Sequence, residues 1–110
     1  MKVGVIKEGK RPVDHRVAFT PAHCSQILKD YPHVELVVQP SVIRCFSDQE
    51  YLDAGVILQN DLNDCDILFG VKEVPLDQLI NNKTYFFFSH TIKKQAYNKE
   101  LLHTILQKNI

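Results

Sequence analysis

Glycine is scarce in this chain. Its 110 residues hold four, Gly4, Gly9, Gly55 and Gly70, and no G-x-G-x-x-G. That absence removes the turn that brings backbone amides onto a pyrophosphate, so the chain by itself is not expected to bind a dinucleotide. Charge of one sign is lacking too: 13 Lys and Arg balance 13 Asp and Glu, and without a basic block carrying interleaved aromatics nucleic acid is not an expected partner. Long apolar runs are missing. The start Met1-Lys2-Val3-Gly4-Val5-Ile6 is broken by Lys7-Glu8, short of a signal peptide, and nothing approaches the roughly 18 residues of a membrane span. A cytoplasmic protein with no membrane partner is expected. Cys24, Cys45 and Cys65 are odd in number and form no C-x-x-C, which reads as reduced, buried structural thiols. The histidines form neither H-x-H nor H-E-x-x-H, so no metal site is expected.

What is present is an alternation of short apolar runs with helix-length segments. The length suits one domain with one core, burying roughly two-thirds of the unfolded chain's surface. Strands are expected at Lys2 to Ile6, Val34 to Val38, Val56 to Leu58, Asp66 to Val71 and Thr84 to Phe88. Thr20 offers an N-cap oxygen and Pro21 suits the first helical position, which predicts a helix to about Asp30. Ser47 and Glu50 form a capping box with Phe46 and Tyr51 at staple positions, and Gly55 fits a left-handed C-terminal cap. A polar turn over Asp61 to Asp64, one helical turn over Leu76 to Ile80 and a tight turn at Asn81-Asn82 follow. Ser89 to Tyr97 reads as a loop, and a last helix starts at Asn98 and stops at Asn109. Ile110 then reads as the first residue of another strand, so the chain is expected to continue. Strands alternating with helices, joined by right-handed crossovers, give an α/β fold: a doubly wound parallel sheet with flanking helices, Rossmann-like or flavodoxin-like, without the dinucleotide fingerprint.

Two polar residues follow buried strands where such sheets bind ligands. Lys72 ends the run Ile67-Leu68-Phe69-Gly70-Val71, and His90 follows Tyr85-Phe86-Phe87-Phe88-Ser89. Lys72 can serve as a general base where burial and neighbouring cations disfavour its charged form. His90 is the natural second proton carrier beside it, because imidazole titrates near neutrality.

The segments Val3-Gly4-Val5-Ile6-Lys7-Glu8 and Arg16-Val17-Ala18-Phe19-Thr20-Pro21 resemble the opening of the alanine dehydrogenase family, which includes lysine-forming saccharopine dehydrogenases and transhydrogenase subunits. Gly70-Val71-Lys72-Glu73, Phe87-Phe88-Ser89-His90-Thr91-Ile92-Lys93 and Val38-Gln39-Pro40-Ser41 are similar to the lysine-ketoglutarate reductase branch. The loop Ser41 to Phe46 has neither the glycine-rich form of alanine dehydrogenases nor a close fit to the reductase branch.

This resemblance implies that residues 1–110 are the N-terminal, substrate-side domain of an NAD(P)-dependent oxidoreductase acting on a C–N bond. The dinucleotide-binding domain, with NAD or NADP on it, is expected in the longer polypeptide, and the 110-residue piece is not expected to turn over. The implied catalytic residues are Lys72 and His90, handling protons on amine and carbinol. The implied substrate-binding residues are Arg16, Lys72 and Lys93, with Arg16 holding a carboxylate on two parallel donors. Arg11, Arg44 and Lys94 are further cations for a dicarboxylate. The implied partners are an amino acid, a 2-oxo acid and the chain's own C-terminal Rossmann domain, and a homo-oligomer is compatible with the sequence. Saccharopine chemistry is the favoured form, with an alanine dehydrogenase-like domain or a stand-alone ligand-binding or dimerising module as alternatives.

Overall fold

A computed structural model describes residues 1–9, 14–72, 74–88 and 103–110. Five short strands, β1 (Lys2–Val5), β2 (Glu35–Val38), β3 (Ile57–Leu58), β4 (Ile67–Lys72) and β5 (Thr84–Phe88), form one sheet in the order β3-β2-β1-β4-β5. Every pairing is parallel, with Val3 opposite both Leu36 and Ile67, and Ile67 opposite Thr84. Parallel neighbours need long crossovers, which the helix-length segments between the apolar runs supply. The chain builds outward from β1 to β3, then returns to lay β4 on the other side of β1. Between β1 and β4 the order reverses, and the crevice beyond the carboxyl ends of such a pair is where open α/β sheets hold ligands.

The helices start where their capping residues stand. In α1 (Pro21–Asp30) Thr20 is extended and its Oγ1 accepts from the His23 amide at 3.1 Å, with Pro21 opening the helix. In α2 (Asp48–Asp53) the Ser47 hydroxyl accepts from the Glu50 amide at 3.2 Å and the Glu50 carboxylate accepts from the Ser47 amide at 3.1 Å. Gly55 follows at φ +91° and Asn82 turns at φ 60°, conformations those residue types tolerate. Residues 103–107 are helical. The loop expected over Ser89 to Tyr97 and the helix start at Asn98 lie outside the described residues.

Asn109 takes φ 56° and the Ile110 amide donates to the Ile105 carbonyl at 3.1 Å, closing the last helix in a Schellman arrangement with both isoleucines in one apolar cluster. One expectation is corrected. Cys45 is exposed, whereas Cys24 and Cys65 are buried and free. Burial pushes the Cys24 thiol up to about 11 and the Cys65 thiol in the same direction, which keeps both protonated.

Alternate strand residues supply two cores. Val5, Leu36 and Val38 pack with Cys24, Tyr51 and Val56 under α1 and α2. On the opposite face Val37 and Leu68 meet Leu62 and Cys65, and beside them Val74 and Leu79 meet Tyr85, Phe87 and Ile105. Leu68 is fully buried at the centre of the sheet. Leu68→Ala is therefore expected to cost about 2–5 kcal/mol, and Ser47→Ala about 1 kcal/mol through loss of the cap. Urea unfolding of the two variants reads both, and equal losses would contradict this core.

Candidate functional site

Past β1 the ladder runs one step further, the Ile6 amide donating to the Phe69 carbonyl at 2.9 Å. There the β4–β5 register shifts, between Phe69 and Lys72. Glu8 supplies the acceptors that the irregular strand end needs: its Oε2 accepts from the Val71 amide at 3.1 Å and its Oε1 from the Lys72 amide at 2.7 Å. Gly70 makes room for this. A Cβ there would lie 2.7 Å from Ile6 Cδ1 and 3.3 Å from Glu8 Oε2. Burial pushes the Glu8 carboxyl upward, and the two backbone donors from Lys72 and Val71 pull the other way.

Asp14 stands over the same strand end. The whole residue, backbone included, is 8% exposed, and its side chain 6%. Its Oδ1 accepts from the Arg16 amide at 2.9 Å and from Arg16 Nε at 3.0 Å, and its Oδ2 from the terminal Arg16 NH2 at 2.7 Å. Lys72 Nζ lies 3.8 Å from the same Oδ2. The Asp-x-Arg spacing makes this possible, since one carboxylate reaches both the backbone and the side chain two residues on. Hydrogen bonds from Arg16 hold the Asp14 carboxyl well below the usual carboxylate range. The Arg16 side chain is 66% exposed. Asp14 occupies its Nε edge, so among the described residues the edge formed by NH1 and NH2 is left open.

The structure thus brings Arg16 and Lys72 onto one buried anion at the carboxyl edge of β1 and β4. Lys72 is 31% exposed and its ion-pair partner is a carboxylate, so its surroundings are not purely the burial and cations expected of them. His90, Lys93, Arg11 and Lys94 lie outside the described residues. Phe88, two residues before His90, stands in register with Lys72. Arg44 is corrected outright, because its side chain is 7% exposed, paired with Asp48, and donates to the Gln39 carbonyl at 2.5 Å and the Phe46 carbonyl at 3.0 Å. These partners make it part of the frame of its own loop. Sequence reasoning missed Glu8 and Asp14. An acid just beyond the first strand, and the two-residue spacing before Arg16, were the available signals.

A dinucleotide does not fit the first strand–helix turn. β1 runs into Lys7-Glu8-Gly9 rather than a glycine-rich loop, and α1 begins only at Pro21. Gly9 is closely packed, its added Cβ lying 2.9 Å from Gln78 Oε1. At the α1 N-terminus Pro21 has no N–H and the His23 amide is already taken by Thr20, so the described residues of this turn offer no cradle of amides for a pyrophosphate. No helix among the described residues is long and apolar enough to cross a membrane.

Known proteins share this sequence and shape. The chain is 37% identical over 112 residues to alpha-aminoadipic semialdehyde synthase of Arabidopsis thaliana, covering 98% of this chain and 10% of that protein. The mitochondrial enzyme of the same name from Rattus norvegicus is 40% identical over 97 residues, covering 88% of this chain and 10% of its own length. The NAD(+), L-lysine-forming saccharopine dehydrogenase of Yarrowia lipolytica is 29% identical over 97 residues, with 84% of this chain and 26% of that protein covered. The solved L-alanine dehydrogenase superposes with a TM-score of 0.78 at 22% identity, over 98% of this chain and 30% of that one, and shares the fold. The chain therefore spans about a tenth of the first two relatives. Residues 4–110 match the family described as the alanine dehydrogenase/PNT N-terminal domain, and the chain belongs to that family.

Proposed function

We propose that this chain is the substrate-side domain of an NAD(P)-dependent oxidoreductase that joins lysine and 2-oxoglutarate through a C–N bond into saccharopine, as in lysine-ketoglutarate reductases, and that in reverse takes saccharopine as its substrate. The observation that carries the reading is the pair of cations, Arg16 and Lys72, gathered on buried Asp14 at the switch point of the sheet. Similarity to aminoadipic semialdehyde synthases and a saccharopine dehydrogenase favours saccharopine over alanine. The sequence lacks the dinucleotide fingerprint, and in this reading NAD or NADP and the hydride it supplies belong to a C-terminal Rossmann domain of the complete polypeptide. We place that enzyme in the cytoplasm on its free thiols, with mitochondria as the competing address that the Rattus norvegicus name raises. Assembly of further copies is part of the same reading.

Within this chain the work is orientation and proton handling. Arg16 offers its outer edge to a substrate carboxylate on two parallel donors, while Asp14 fixes the guanidinium plane from the other edge. Lys72 takes the proton that the amine loses as it adds to the keto carbon. That proton is returned to the former keto oxygen to make the carbinol, His90 gives the oxygen a second proton, and as it leaves as water the nitrogen lone pair closes the C=N bond that the hydride reduces. Lys93 receives a second carboxylate.

Three outcomes follow in the complete enzyme. Lys72→Met is expected to lower kcat by about 10²–10⁴-fold and to remove one limb of the pH–rate profile, and an unchanged profile would refute the base. Arg16→Lys keeps the charge but loses the fork, so the KM for saccharopine is expected to rise about tenfold with a smaller change in kcat. The third concerns stability. Asp14 titrates below its ordinary value when folded, so its contribution is fully present above about pH 4 and drains as acid protonates the unfolded chain first. The gap in melting temperature between the parent protein and Asp14→Asn should accordingly be wide at pH 7 and narrow toward pH 2–3; a gap that widens in acid is the contrary result.

A further inference from the structure

The Ser41–Phe46 loop has a tip that faces water, with Val42 100% and Ile43 41% exposed. Its shape cannot come from burying that tip. Instead Arg44 holds it from inside, donating to the Gln39 carbonyl before the loop and the Phe46 carbonyl at its end while pairing with Asp48 of α2. Asp48 also accepts from the Ser41 amide at 3.0 Å, and the Ser41 hydroxyl accepts from the Ile43 amide at 3.2 Å. The loop so formed grips one residue twice: the Cys45 amide donates to the His15 carbonyl at 2.8 Å, and His15 Nδ1 donates to the Ile43 carbonyl at 2.6 Å. Because a carbonyl only accepts, that ring nitrogen carries the proton. Beneath Arg44, with the guanidinium carbon 4.5 Å from its ring centre, lies fully buried Tyr51, whose hydroxyl donates to the Phe19 carbonyl at 2.7 Å. The Phe19 ring in turn packs on Phe69 of β4 at 4.9 Å.

We infer that Arg44 and Tyr51 are positioning residues for the carboxylate site: together they pin His15 and Phe19, the two ends of the segment that carries Arg16, to α2. Arg16 itself is largely in water, and Asp14 is its partner among the described residues. Its reach toward a ligand therefore depends on where the backbone between His15 and Phe19 is held. A lysine at position 44 cannot replace the fork, since one ammonium cannot point at Gln39, Phe46 and Asp48 in the plane that spans them.

The inference rests on the reading of Arg16 as a carboxylate binder, and the test separates the two. In the complete enzyme Tyr51→Phe deletes one hydroxyl and His15→Ala deletes one ring contact, and neither replaces Arg44. Amide hydrogen exchange over residues 14–19 is expected to quicken about tenfold in each variant. The KM for saccharopine should rise about tenfold while kcat stays within about twofold and the KM for the nicotinamide coenzyme is unmoved. Arg44→Lys should recover only part of what Arg44→Ala loses. Unaltered exchange over 14–19 overturns the inference, as does quickened exchange with an unchanged saccharopine KM in an enzyme that responds to Arg16→Lys. Should Arg16→Lys leave that KM unchanged, the carboxylate reading fails, and exchange alone then upholds or overturns the frame.

Discussion

A carboxylate removed from water must be paired, and the edge of this sheet is organised around Asp14 because its loop holds it there ionised. Truncating any partner would leave charge stranded at a buried position, so loop and strand are tied more tightly than their few apolar contacts imply. Arg16 meets Asp14 through both backbone and side chain, which fixes the turn itself, and Lys72 approaches the same oxygen from β4. The interaction spans residues 14 and 72, and it brings the loop after β1 onto the strand laid down when the chain crosses back. The switch point is thus a topological feature closed by an electrostatic one.

Glu8 does a related job by different means. Where β4 leaves its regular register, two backbone amides would otherwise face a low-dielectric edge without acceptors, a costly arrangement. One carboxylate takes both, so the strand end that carries Lys72 is held by the Glu8 side chain while Lys72 stays in register with Phe88 of β5. The cost falls on Glu8, whose charged form burial disfavours.

Local rules made most of the fold legible. Capping residues bind their own helix within three positions, so Thr20 and the Ser47–Glu50 box could be read without knowing the sheet. Asn82 and Gly55 announced their turns for the same reason. Lys72 was visible because the end of a buried parallel strand is a privileged place. Asp14 was not, since a loop acid owes its burial to a strand 58 residues away in sequence. Arg44 was misread for the opposite reason. A loop arginine reads as a cation free to meet a dicarboxylate, and only the pairing with Asp48 and the packing on Tyr51 show that the guanidinium has been taken indoors. Cys45 differs from Cys24 and Cys65 by lying in a loop held by hydrogen bonds instead of a core.

Charge balance then limits what this edge can do alone. Glu8 and Asp14 against Arg16 and Lys72 sum to zero, so a carboxylate arriving at the outer edge of Arg16 meets no net positive field among the described residues. Attraction at a distance is weak, and what the cluster supplies is a fixed plane of donors whose orientation was settled by Asp14 before the ligand came. A ligand with two carboxylates makes the local sum more negative by two, which demands cations from outside the cluster. A cluster so arranged recognises a partner by shape and hydrogen bonding before charge.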